Sequence, residues 1–210
     1  MHLEVASVHS VETFRSIRLV LRQRGEQQAS VVAAELGWAR STARGGDGEA
    51  YEVIWAVDGN TTFHYAEDMG SGEALCQVRG SERGPVAKAF RQIESRLDAW
   101  NQRELLDAVR ADSAPYEMVQ ALFRLGLGAP ITLDDTHLGT LSLRFGAAID
   151  EAVRHEHPMV RAAAVRATAY MEWPVLRLIV QEVAERDSDC RVKREADLVL
   201  QAFDLADRHR

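Results

Sequence analysis

The feature that most constrains this chain is a ten-residue segment that returns 32 positions later. Ala152-Val153-Arg154-His155-Glu156-His157-Pro158-Met159-Val160-Arg161 lines up with Ala184-Glu185-Arg186-Asp187-Ser188-Asp189-Cys190-Arg191-Val192-Lys193. Each copy reads as the end of a helix, a short polar turn, and a Val-Arg or Val-Lys pair that opens the next helix. A helix pair cannot bury both of its apolar faces alone, so a repeated pair folds by stacking on its neighbours around a continuous core. Small side chains at Ala162, Ala163, Ala164 and Ala167 let backbones approach closely. The pattern predicts stacked helical hairpins from about residue 103 to 210, with Val160 and Val192 at equivalent buried positions.

On these residues the C-terminal half resembles HEAT repeats, most of all the shorter phycobilisome-lyase-like kind. The resemblance covers 141–204 well and 103–140 loosely, where Pro115 to Leu127 reads as the first helix of an earlier repeat. Leu138, Leu141, Phe145, Ile149 and Ala152 keep helical spacing, although Thr140 to Phe145 also alternates like a strand; we read a helix there. The resemblance implies a broad inner surface built largely from the second helix of each hairpin and suited to a protein partner. On the helix from Val175 to Arg186, the positions off the apolar face of Leu176, Ile179, Val180 and Val183 are Arg177, Gln181, Glu182 and Glu185. Arg144 and Glu151 are their counterparts one repeat earlier. These six are the candidate binding residues, and an ordinary solvated face is the competing reading.

Residues 1–102 read as a separate α+β domain, ahead of an all-α domain over 103–210. Leu3 to Val8 alternates with period two like a strand. Ser10 then has the form of a helix N-cap, with Phe14, Ile17 and Leu21 on one face before Gly25. Glu26 to Leu36 reads as a second helix stopped by Gly37, and Gly45 to Gly48 as a turn. Tyr51 to Val57 and Thr61 to Tyr65 flank Asp58-Gly59-Asn60 and predict a hairpin, with a third strand at Ala74 to Val78. From Pro85, apolar residues at Val86, Phe90, Ile93, Leu97 and Trp100 predict a helix that covers this small antiparallel sheet. Asn101 and Glu104 have capping-box spacing, which places a new helix and the domain junction there.

Charge and composition narrow the function classes. The net charge is −7, and neither half is basic: residues 1–150 carry 15 basic and 21 acidic side chains, residues 151–210 carry 10 and 11. A duplex-binding domain normally offers a basic surface to phosphates, so nucleic acid is disfavoured. Cys76 and Cys190 lack zinc or redox spacing and read as two buried or half-buried thiols. No run approaches the ~20 apolar residues of a membrane span, and no leader is evident, which predicts a cytoplasmic protein. Only Lys88 and Lys193 among 25 basic residues are lysine, an arginine bias of the kind GC-rich bacterial genomes produce.

The motifs that could carry chemistry are each incomplete. His155-Glu156-His157 is metal-like, and HEAT-like proteins resembling deoxyhypusine hydroxylase hold two irons through His-Glu dipeptides repeated in several repeats. Here the equivalent of His155-Glu156 is Asp187-Ser188, so we expect a solvated turn in which His157 caps the helix opened by Pro158. Phycobilin-lyase chemistry does not transfer on packing positions alone. Residues 33–44 look like a helix-turn-helix core, but a recognition helix from Ala39 would meet Gly45-Gly46 too soon to cross a major groove. Strand alternation puts His64 opposite Phe63 and Tyr65, as a surface or half-buried residue rather than a catalytic base. Asp134-Asp135 reads as a helix N-cap pair. No nucleophile elbow, phosphate loop, metal set or cofactor motif is present.

The sequence therefore reads as an adaptor or scaffold that binds another protein through its helical half, without catalysis or cofactor. A small-molecule enzyme or ligand-binding protein with a site between the two halves is the alternative. A DNA-binding regulator acting through 33–44 is the third.

Overall fold

The computed structural model describes residues 13–45, 50–110, 113–131 and 139–208. The expected Leu3 to Val8 strand, the Ser10 cap, most of the Gly45 to Gly48 turn, the Asp134-Asp135 cap and Leu138 lie outside them. The N-terminal half holds a six-stranded antiparallel sheet with helices, and the C-terminal half is helical.

The strands are β1 (Phe14–Arg15), β2 (Leu19–Val20), β3 (Ala39–Arg44), β4 (Tyr51–Ala56), β5 (Thr61–Glu67) and β6 (Ala74–Gly80). Their order is β1-β6-β5-β4-β3, with β2 also pairing with β6. The expected hairpin forms, with Trp55 opposite Phe63 and Val53 opposite Tyr65. One sheet face carries Val53, Trp55, Phe63, Tyr65, Cys76 and Val78 and packs on α1 (Gln27–Glu35) and α2 (Arg83–Glu94).

The helix expected over Phe14 to Leu21 is not formed; the segment supplies β1 and β2. Leu19 and Leu21 enter the core under α1 and α2, while Val20 points the other way, against Leu75 and Leu127. A strand buried on both faces reads as a continuous apolar run, and the 3-4 spacing of Phe14, Ile17 and Leu21 imitates a helix. The second helix of the supposed helix-turn-helix is likewise a strand, β3. Gly37 sits at φ +71° and ends α1, and Ala39–Arg44 offers no apolar face that could hold a helix. The helix from Pro85 stops at Glu94, short of Trp100. Beyond it Leu21 bridges Ala99, and the Trp100 amide donates to the Val20 carbonyl, so this stretch is held as sheet edge. Phe90 is only half-buried; Val86, Ala89 and Ile93 form the covering face.

The helical half comprises α3 (Gln102–Arg110), α4 (Pro115–Gly128), α5 (Gly139–Ala152), α6 (Pro158–Met171), a 3-10 turn at Pro174–Leu176, α7 (Arg177–Arg186) and α8 (Cys190–Arg208). The capping box opens α3: the Asn101 amide donates to Glu104 Oε2 at 2.9 Å and the Glu104 amide to Asn101 Oδ1 at 3.0 Å. Residues 139–152 are helical, which resolves the ambiguity over Thr140 to Phe145. Val160 and Val192 are 0% and 1% exposed in one shared core. The second helix of each pair packs on the next, α4 on α6 and α6 on α8, while α3 meets α5. Gly126 makes the first of these contacts possible, because a Cβ there would lie 2.7 Å from the Ala167 carbonyl oxygen.

The halves meet along a seam. Val20, Leu75 and Leu127 form a small apolar cluster from β2, β6 and α4. Around it Arg124 pairs with Glu73 at 2.8 Å, Arg15 with Glu172 at 3.1 Å and Arg22 with Glu104 at 2.6 Å. Tyr170 donates to Asp68 at 2.7 Å. Among the described residues, no helix is long and apolar enough to cross a membrane.

Candidate interaction surface and polar clusters

The six residues singled out by sequence do not converge. Helices α5 and α7, which carry them, are the first helices of their pairs, whereas α4, α6 and α8 form the continuous second-helix layer. Helix α7, which carries Arg177, Gln181, Glu182 and Glu185, packs on α8 and the 3-10 turn. The 32-residue repeat aligns helix ends with helix ends, so Arg177 to Arg186 is the element before the turn. Arg144 and Glu151 are exposed on α5, Gln181 is half-buried and Glu185 exposed. Glu182 pairs with Arg186 at 2.9 Å and borders a cleft with Val153, Arg154, Ile179 and Asp187.

The Arg177 side chain reaches α8, and the Glu185 carbonyl accepts from Lys193 of α8 at 2.8 Å. Arg177 pairs with Asp204 and, at 3.5 Å, with Asp207, both on α8. It lies at the rim of a groove whose floor is apolar: Ala169 from α6, Pro174 from the 3-10 turn, and Val199, Ala202 and Phe203 from α8. The groove measures about 110 Å³. Exposed apolar residues adjoin its lining in the chain. Val175 and Leu178 follow Pro174 and Arg177, and Leu198 and Leu205 neighbour Val199 and Ala206; Leu178 is 70% and Leu205 52% exposed.

The metal-like triplet is a turn. His157 Nδ1 accepts from the Met159 amide at 3.3 Å and so caps α6, and His155 Nδ1 accepts from the His157 amide at 3.0 Å. Arg161 crosses this turn to Asp187, through Nε at 2.7 Å and Nη2 at 2.8 Å, and also donates to the His155 and Glu156 carbonyls. That fork holds one interhelical turn against the next, and it keeps the Asp187 carboxyl below the usual range. Among the described residues, no group of three or more His, Cys, Asp or Glu stands close enough to hold a metal ion.

Two polar clusters escaped sequence reading. On the sheet face opposite the aromatics, His64 Nδ1 lies 2.9 Å from Glu52 Oε1, and His64 Nε2 lies 2.7 Å from Thr62 Oγ1. His64 is buried, more deeply than the alternation implied, and burial pushes its pKa down; the Glu52 carboxylate opposes that shift and Arg79 adds to it. Hydroxyl, imidazole and carboxylate stand in the order of an activated nucleophile. The Thr62 hydroxyl is also within 3.4 Å of the Arg79 carbonyl, so the network ties β5 to β6 on this face. The second cluster lies in the seam. Burial lowers the pKa of Arg18, whose Nη2 donates to the Tyr170 carbonyl, and Asp68 gathers the Ser71 amide and hydroxyl together with the Tyr170 hydroxyl. The seam set joins residues 102 and 152 positions apart, so periodicity within one element could not find it.

Cys76 is buried, and its thiol pKa is pushed up by that burial; Cys190, expected to be at least half-buried, is exposed at the start of α8. Comparison of the chain with protein-family models, with curated proteins and with solved structures finds no match.

Proposed function

We propose that this chain is a protein-binding adaptor whose helical half is a HEAT-like platform, with no turnover of its own. One observation carries the reading: an apolar groove between α6, the 3-10 turn and α8, whose lining residues are followed or preceded in sequence by the exposed Val175, Leu178, Leu198 and Leu205. Isolated exposed leucines need no explanation, but an apolar groove built by elements that carry several of them suits another chain. Arg177, already held by two aspartates at the rim, would orient a partner more than attract it, because its charge is locally balanced.

The test is affinity purification of the tagged chain, beside Leu178→Asp and Leu205→Asp variants. Both substitutions are at exposed positions and should change stability by less than about 0.5 kcal/mol. The expected result is a stoichiometric partner that both variants lose while their melting temperatures stay within about 2 °C of wild type. Retention of the same partner by both variants, or turnover of a small molecule by the purified chain, would overturn the reading.

A further inference from the structure

We propose that the seam between the sheet and the helical half is an oxyanion site, in which Arg15, Arg18 and Arg79 take a phosphate group. The register of β1 on β6 sets Arg15 directly opposite Arg79. Cross-strand partners share a face and stand only ~5 Å apart at Cβ, and like charges in that position are destabilising. A third guanidinium, Arg18, follows in the link to β2. It is largely buried, and its Nε has no hydrogen-bond partner within the protein. Buried guanidinium N–H groups left unmatched are rare and costly, so three arginines gathered in this way call for an acceptor.

The electrostatics agree with the register. Burial is the main cause that lowers the Arg18 pKa; Glu172 and Asp68 oppose it, while Arg15 and Arg79 add to it, which places all three guanidinium groups within electrostatic reach of one another. The carboxylates already present serve the outer pair unequally. Glu172 holds Arg15 through both Nη atoms, at 3.4 and 3.1 Å, whereas Glu52 approaches Arg79 no closer than 3.7 Å, and Asp68 is engaged by Ser71 and Tyr170. Arg79 Nε is spent on Gln77 at 2.8 Å, which leaves the rest of its fork for a ligand. The Arg15 and Arg79 side chains are each 39% exposed, so an ion from solvent reaches the outer pair, with Arg18 beneath.

A phosphate group fits this arrangement better than a further carboxylate. It offers at least three oxygens to three separate guanidinium groups, and arginine forks match its geometry. Because the helical half contributes Glu172 and the Tyr170 carbonyl to the same place, an anion held here would also fasten the two halves together. Free phosphate and a phosphorylated side chain of a partner present the same chemistry.

The experiment titrates the full chain with sodium phosphate against sodium chloride at matched ionic strength, following the melting temperature and, in parallel, heat by calorimetry. Arg15→Gln, Arg79→Gln and Arg18→Met are compared with Arg191→Gln, a remote exposed control. Phosphate also stabilises proteins generally by exclusion from their surface, so the comparison with the variants decides. A saturable rise in wild type and in Arg191→Gln, weakened at least tenfold in Arg15→Gln and Arg79→Gln, is the expected result. Should Arg18→Met fail to fold, the two outer variants still carry the test. An unsaturable rise that all variants share, or no rise beyond that in chloride, would overturn the proposal. A phosphoserine peptide and its unphosphorylated form make the second arm. Tighter binding of the phosphopeptide than of inorganic phosphate identifies a partner as the source, and equal binding identifies the free ion.

Discussion

Two helical glycines provide a controlled test of how tightly the helical half is packed. Gly126 on α4 and Gly146 on α5 both lie inside helices without positive φ, so replacement by alanine brings each the same gain in helix propensity, ~1 kcal/mol. Their surroundings differ. A Cβ at Gly146 meets no atom within 4 Å, whereas one at Gly126 would lie 2.7 Å from the Ala167 carbonyl oxygen and 3.0 Å from its Cα and Cβ. Backbone cannot swing aside as a side-chain tip can, so α4 and α6 must separate, and overpacking of that kind costs ~1 to 3 kcal/mol or more. We expect Gly146→Ala to stabilise by ~0.5 to 1 kcal/mol and Gly126→Ala to destabilise by up to ~2 kcal/mol, net of its propensity gain. In a chain of this size that separates the two melting temperatures by up to roughly 12 °C, with opposite signs. Urea denaturation and thermal melting of both variants measure it. Equal shifts of the same sign would refute the claim that α4 and α6 touch through Gly126 and Ala167.

The remaining predictions concern titration and reactivity. Burial depresses the His64 pKa below its unfolded value of about 6.5, so its neutral form stabilises the fold; that contribution is full above about pH 6.5 and is lost as pH falls through the folded pKa. Urea titrations from pH 8 to 5 should therefore show wild type losing its advantage over His64→Gln as the pH drops, and a difference independent of pH would contradict the assignment. Of the two thiols only Cys190 is exposed, and Cys76 is both buried and raised in pKa, so a thiol reagent should label one site per native chain and two after denaturation. Two rapid equivalents in the native protein would place Cys76 wrongly.

What the sequence disclosed was whatever a single element writes in its own periodicity. The hairpin at Asp58 to Asn60, the box at Asn101 and Glu104, and the helix cap at His157 each rest on residues within a few positions of one another, and each stands in the structure. Errors gathered where burial comes from two directions. Leu19, Val20 and Leu21 are apolar because β2 is covered by α1 and α2 on one side and by α4 on the other, and α2 and α4 lie more than fifty positions away. The same cause shortened α2: Leu97 and Trp100 continue a helical spacing, yet Trp100 is fixed by Val20 and lies beneath the Arg22 and Arg124 guanidinium groups, 4.4 and 5.2 Å from its ring centre.

The candidate site shows the same limit from the functional side. Polar positions off the apolar face of α7 were readable, but which layer α7 joins was not, because first and second helices carry equally amphipathic patterns. Layer membership depends on which helices meet, and here that is decided by small residues: Gly126 against Ala167 lets α4 and α6 come close, and Ala196 and Val192 seat α8 beside them. Once α4, α6 and α8 form one layer, the sheet occupies its α4 end through Leu127, Glu73 and Arg124. Pro174, Arg177 and α8 lie away from the sheet, on the other side of α6. Under the adaptor proposal a partner would meet the groove lined by Phe203 and Ala206, and the arginines at the seam would register whether the sheet is clamped behind it.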